Sequence, residues 1–308
     1  MRAGINESDC RLVASIQVEI DTSLLDDLLS YVQHTDRGTL DRIIQHPAAL
    51  KTYKHAVRFE NTSKDIRGFW SDVLDVESEQ RSQVVKAVDR CLDHLRSERE
   101  TYQMLFKDLR MYLPDDCILE TTLYAIIGYD VGIVSDGSAL LNLAHPWFQE
   151  DIREVPFLAM HELHHVAYTS YNPMFKMADL QTTSDLFEAV RYATHMEGLA
   201  VYAPLERRID FEVFSNIDYP VLLNRRVRDK RVREYFSMVE ELEAAEERPL
   251  DSSDLEVIEV MSGGKTRLWY IAGAHMAMAI DENLGRESLV QTIVDGPAAF
   301  FDVYSTLA

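Results

Sequence analysis

Basic residues are outnumbered along this chain: 31 lysines and arginines face 52 aspartates and glutamates, a net charge of −21 in 308 residues, and only eight of the bases are lysine. Such a surface repels phosphate backbones and anionic lipid, which argues against a nucleic-acid partner and against a membrane-surface role. No apolar run approaches the roughly 18 residues of a membrane-spanning helix. The first residues, Met1-Arg-Ala-Gly-Ile-Asn-Glu-Ser-Asp-Cys10, lack the apolar core of a signal peptide. A soluble, cytoplasmic protein is expected. Cysteine is rare too: Cys10, Cys91 and Cys117 are widely spaced and odd in number, with no C-x-x-C, so they read as reduced, mostly buried small residues and not as a disulfide framework. Internal repeats and low-complexity tracts are also missing. What remains is a 46% apolar, globular composition long enough to bury a large core.

Along the chain, the alternation Ile16-Gln-Val18-Glu-Ile20 predicts a strand over 11–20 with one buried face. Asp21-Thr22-Ser23 then caps a helix over 24–33, Thr39 caps a short one, and Pro47 opens another to 59. Helices over 63–76 and 78–112 follow, the second broken near Ser97. This stretch suggests no chemistry, and its histidines, His34, His46, His55 and His94, are isolated. The texture changes at Pro114. Residues 117–127 are rich in β-branched and aromatic side chains and end at Gly128, a strand pattern. A short strand or turn follows over 132–137, and a third strand over 138–144 is expected to be a sheet edge able to pair with an extended peptide. After the central helix described next, residues 183–208 predict a long helix ended near Pro204. A charged helix covers 224–247, Ser252 or Ser253 caps another, and 265–283, 286–294 and 297–307 close the chain.

Between these parts lies Phe157-Leu-Ala-Met-His161-Glu162-Leu-His164-His165-Val-Ala-Tyr168, an H-E-x-x-H pattern inside an apolar run bounded by Pro156 and by Tyr171-Asn-Pro173. Random placement would give roughly 0.03 such patterns in a chain of this composition. On a helix, residues four apart stack one turn above each other, so His161 and His165 can aim at one point, and zinc accepts that pair. Glu162 sits about 100° around the helix from His161, where its carboxylate can reach a metal-bound water without being a ligand. That is a general base's position. A buried helix with three histidines and a glutamate must satisfy them, and a metal ion does so economically.

A catalytic zinc needs three protein ligands and an open position. Within Arg191-Tyr-Ala-Thr-His195-Met-Glu197-Gly198-Leu-Ala-Val201-Tyr202, helical spacing puts Glu197 on a face of small or uncharged residues, with His195 nearly opposite. Both cannot point at one metal from a regular helix, and Glu197 is the preferred ligand. Gly198 beside it is expected to let this helix approach the His161 helix closely.

H-E-x-x-H followed about 30 residues later by E-G-x-A on a second helix resembles the gluzincin metallopeptidases, the thermolysin-like clan, and above all the predicted zinc-dependent protease families of that clan. The resemblance spans residues 115–308 well and the N-terminal helices loosely. It includes the strands before the active helix, the late helix with Tyr270-Ile-Ala-Gly273-Ala-His-Met-Ala277, and the following Gly285-Arg-Glu-Ser-Leu. It implies one zinc ion held by His161, His165 and Glu197, with Glu162 activating water. Glu197 does not begin the E-x-x-x-D arrangement of the best-known gluzincins, so no partner behind the ligands is identified.

Other readings compete. A di-iron carboxylate bundle needs a second E-x-x-H, and of the ten histidines only His165 follows a glutamate at that spacing. A deformylase-like amidohydrolase would use Cys117, whose setting lacks the expected Gly-rich turn. A structural zinc would want a fourth ligand and clustered cysteines. The expectation is therefore a mainly helical α+β, zincin-like fold: a short twisted sheet whose edge strand packs on the active helix, and a helical C-terminal sub-domain. Residues 1–175 and 176–308 form the two parts of one catalytic unit, acting on a peptide or protein substrate. A non-peptidase zinc amidohydrolase, or a metal-binding protein without protease activity, are the alternatives. An oxyanion donor is expected on the late helix: Tyr270 and His275 lie about 140° apart there, and the resemblance favours Tyr270, with Tyr202 behind it.

Overall fold

The computed structural model describes residues 14–307. Cys10 and the start of the strand expected over 11–20 lie outside them. Strand β1 (Ser15–Asp21) is followed by six helices, α1 (Leu25–His34), α2 (Arg37–Ile43), α3 (Pro47–Arg58), α4 (Ile66–Val73), α5 (Ser78–Ser97) and α6 (Arg99–Asp108). Then come β2 (Ile118–Ile126), β3 (Gly132–Ser135) and β4 (Ser138–Asn142), a short α7 (Trp147–Glu150), and α8 (Glu154–Tyr171), which carries H-E-x-x-H. The rest is helical: α9 (Thr183–Tyr202), α10 (Leu205–Phe211), α11 (Asp218–Leu223), α12 (Arg225–Glu243), α13 (Ser252–Ser262), α14 (Leu268–Leu284), α15 (Arg286–Asp295) and α16 (Pro297–Ser305). This is the expected mainly helical α+β fold with one small sheet.

The cap assignments shift by a few residues. Asp36, not Thr39, caps α2, its carboxylate accepting from the Thr39 N–H at 2.9 Å. Asp251 caps α13, and Thr182 with Asp185 forms the capping box of α9. Pro156 does not bound α8 but sits inside its first turn, two residues after Glu154. An N–H there has no intrahelical partner, so proline costs little.

The four strands are ordered β1-β2-β4-β3, with β1, β2 and β4 parallel and β3 antiparallel to β4. Residues 138–144 are therefore not a sheet edge: β4 lies between β2 and β3 with all five of its residues buried. The edge is β3. Asp136 and Gly137 both adopt positive φ (46° and 69°), the conformation of a tight Asp-Gly hairpin, which folds β3 back along the outside of β4. The near-continuous apolar run of β4 suits a strand covered on both faces.

Helix α8 packs against β3 and β4 on one side and α9 on the other, which explains why it is apolar almost all round. Its N-terminus is tied down by a buried ion pair. Glu154 accepts from Arg208 Nη1 of α10 at 2.7 Å, from Ser215 Oγ at 2.7 Å and from the Asn216 N–H at 3.0 Å. Those extra hydrogen bonds offset part of the cost of burying the charges. Gly198 serves a different neighbour from the expected one: it meets α14, not α8. A Cβ on Gly198 would lie 2.3 Å from the Gly273 carbonyl carbon, and one on Gly273 would lie 2.1 Å from the Thr194 carbonyl oxygen. Two glycines thus bring the α9 and α14 backbones into contact.

Candidate metal centre

The period of α8 stacks His161 and His165, whose rings lie edge to face with centroids 4.5 Å apart and Nε2 atoms 2.9 Å apart. From α9, Glu197 brings Oε2 to 3.0 Å from His165 Nε2 and 3.3 Å from His161 Nε2. Among the described residues this is the one group of three or more such side chains able to hold an ion. A tetrahedral ion bonded at about 2.0–2.1 Å would keep its donors roughly 3.3 Å apart, so the observed spacing and the set of two imidazoles and a carboxylate fit zinc. Three protein donors also leave a position open.

The electrostatics follow from burial and proximity. Burial alone would raise the Glu197 carboxyl, but the His165 charge and hydrogen bonds from both imidazoles outweigh it and hold the group well below the usual range. His165 is raised, because Glu197 outweighs its own desolvation, while His161 is lowered by desolvation and by His165. Behind the cluster, His165 Nδ1 is buried with no hydrogen-bond partner among the described residues. The outer partner usual for a metal-bound histidine is thus missing from them.

Glu162 is 5% exposed, and burial pushes its carboxyl up to about 8. A nearby cation would act the other way. Its side chain lies along Gly132 at the start of β3, where a Cβ would come within 2.5 Å of Oε1.

His195 faces elsewhere. Its Nδ1 pairs with Tyr168 Oη and its Nε2 with Thr292 Oγ1, each at 3.0 Å, and its ring stacks on Phe300 at 4.4 Å. Both ring nitrogens are engaged in the core. Of the three oxyanion candidates, only Tyr270 lines the cleft. Tyr202 donates to Asp281 at 2.6 Å, and His275 packs by Tyr304.

The cleft itself has a volume of about 410 Å³ and is lined by Val131 to Val134, His161, Glu162, His165, Glu197 and Tyr270. Several lining residues carry no sequence signal. Arg267 holds Asp218 through Nε and Nη2, places its guanidinium 3.4 Å from the centre of the Tyr270 ring, and has left-handed backbone (φ 49°) at the start of α14. Arg208, Asn216 and Tyr219 line another part of the wall. The N-terminal helices also contribute, contrary to expectation: His55 and Phe59, on α3 and just beyond it, reach the cleft. Gly132 could have been suspected as the glycine that opens the predicted strand or turn over 132–137; the arginines could not, since partners 49 and 54 residues away decide their role.

Residues 42–308 match the model of a family described as "Putative zinc dependent peptidase (DUF5700)". No curated protein and no solved structure matches the chain. No helix among the described residues is long and apolar enough to cross a membrane.

Proposed function

The chain belongs to this family of zinc-dependent peptidases, and on that premise we propose that it hydrolyses a peptide bond in the cleft between α8, α9, α14 and β3, with a gluzincin-type site. The observation that carries the reading is the meeting of His161, His165 and Glu197 at the wall of a cleft that Glu162 also lines. These three residues would hold one zinc ion. When bound, zinc supplies a Lewis acid that polarises the scissile carbonyl and eases deprotonation of water.

Glu162, a buried carboxylate that lines the cleft beside the three donors, takes the proton of the attacking water and returns it to the leaving amine. Tyr270 donates its phenolic O–H to the oxyanion as it forms, while the Arg267 guanidinium over its ring fixes the ring's position. Strand β3, the outer strand and part of the cleft wall, offers main-chain groups for an extended substrate. The parts 1–175 and 176–308 act together, since each supplies at least one of the three donors and part of the cleft.

The test is metal analysis of purified protein followed by incubation with a mixed peptide library. Glu162→Gln should keep zinc and lose turnover, Glu197→Ala should lose zinc, and His195→Ala should not. Tyr270→Phe should keep zinc and lower turnover by about 10² to 10³, the usual loss for one oxyanion donor. Near-normal hydrolysis by zinc-replete Glu162→Gln would refute the mechanism.

A further inference from the structure

A second cavity, of about 200 Å³, adjoins the metal cleft and shares Phe59, Met174, Met196, Glu197 and Ser262 with it. Its remaining wall is almost wholly apolar, with Val190, Ala193, Phe175, Ile258 and Trp269 among its residues. Among the described residues, the one charged group at its boundary is Glu197, whose carboxylate is engaged by His161 and His165. The hollow exists because α9 presents small side chains there: Ala189 and Ala193, one helical turn apart, are both buried and both line it.

We infer that this cavity is a specificity subsite, receiving the side chain of a substrate residue next to the bond that is cut and selecting an aromatic or long aliphatic one. The inference rests on the hydrolytic reading of the cleft. Glu197 belongs both to the metal-ligand set and to the cavity wall, so the mouth lies one residue's reach from the reacting carbonyl. Size agrees, since a dry apolar cavity of about 150 Å³ takes up a benzene ring. Chemistry agrees as well. A charged side chain placed there would be desolvated without a partner, whereas methionines at the wall adapt to different apolar shapes. The cavity therefore rejects charge strongly and discriminates among apolar side chains by size.

The experiment uses zinc-loaded protein and a peptide series varied at one position beside the cleaved bond: Phe, Leu, Ala and Asp. The wild type should favour Phe or Leu over Ala in kcat/KM by at least about 10- to 200-fold, the range for a single methylene in an apolar pocket. Ala193→Leu, which fills the hollow, should reduce that ratio about ten-fold or more. Ala189→Leu is the second variant should the first not fold, and both are checked by melting temperature and zinc content. Binding is measured separately by calorimetry on zinc-loaded Glu162→Gln protein, which should take the Phe peptide more tightly than the Ala peptide. Cleavage without preference at any position, or an unchanged ratio in a folded, zinc-replete variant, overturns the subsite. If wild type cuts no peptide while Glu162→Gln still prefers the Phe peptide, the hydrolytic reading fails, and the cavity's role beside a cut bond fails with it, leaving only a pocket for an apolar side chain. Absence of both cleavage and preference removes both.

Discussion

At the scale of single residues, the site depends on a side chain that is missing. Gly132 leaves room for Glu162: a Cβ in its place would lie 2.5 Å from Oε1 and 2.9 Å from both Cδ and Cγ. The clash is with the free end of a side chain, so the fold can absorb it by turning Glu162 aside. A base moved by about 1 Å loses on the order of 10² in rate. Gly132→Ala should therefore keep its zinc and its melting temperature while kcat falls about 100-fold. Full activity in a zinc-replete variant would show that Gly132 does not set the position of Glu162.

Helices give a second kind of prediction. Replacing a helix-interior glycine with alanine normally gains about 1 kcal/mol from propensity alone. Gly273 of α14 reverses the sign, because its missing Cβ is where the Thr194 carbonyl of α9 passes, 2.1 Å away. Backbone cannot rotate aside as a side chain can. Gly273→Ala should thus cost about 1–3 kcal/mol, the usual range for overpacking, or more, measured by urea denaturation. It should also disturb the cleft, since Tyr270 is one helical turn away on α14 and Glu197 adjoins Gly198 on α9. A stabilised variant would mean that the two helices separate at no cost. The same contact explains a misreading. A glycine beside a metal ligand implies close approach, but its position in the chain does not say to which helix.

For the whole molecule, acid stability is a testable property. Burial lowers the His55 imidazole from 6.5 to about 4, with the neighbouring Arg58 charge adding to the effect. Its Nδ1 pairs with Tyr129 Oη at 3.0 Å, and its ring packs on Phe59. The unfolded chain binds this proton more readily than the folded one. The group's contribution is accordingly complete above pH 6.5 and is lost as pH falls through about 4. Urea midpoints at pH 7 and pH 4.5 should differ less in His55→Gln than in wild type. Comparing the two proteins cancels the protonation of His161, His165 and Glu197, which both share. Equal differences would show that His55 does not contribute to acid lability.

Much of this architecture was legible from local pattern. H-E-x-x-H spacing dictates that two imidazoles share a helix face, and the polarity of the α9 faces separates Glu197 from His195; both follow from a fixed helical period and need no knowledge of neighbours. The helix breaks at Glu98 and Pro204 and the mainly helical α+β class were readable for the same reason. Strand order was not. The apolar run of β4 reads equally as a short edge or a covered centre, and only the Asp136-Gly137 hairpin, by laying β3 outside it, decides which. Contacts across distant parts of the chain were likewise hidden: Arg267 on Asp218, Arg208 on Glu154, Gly273 on Thr194 and the apolar cavity beside Glu197. Periodicity states which way a side chain points from its own helix. What it meets there depends on how elements far apart in the chain pack, and that is settled only in three dimensions.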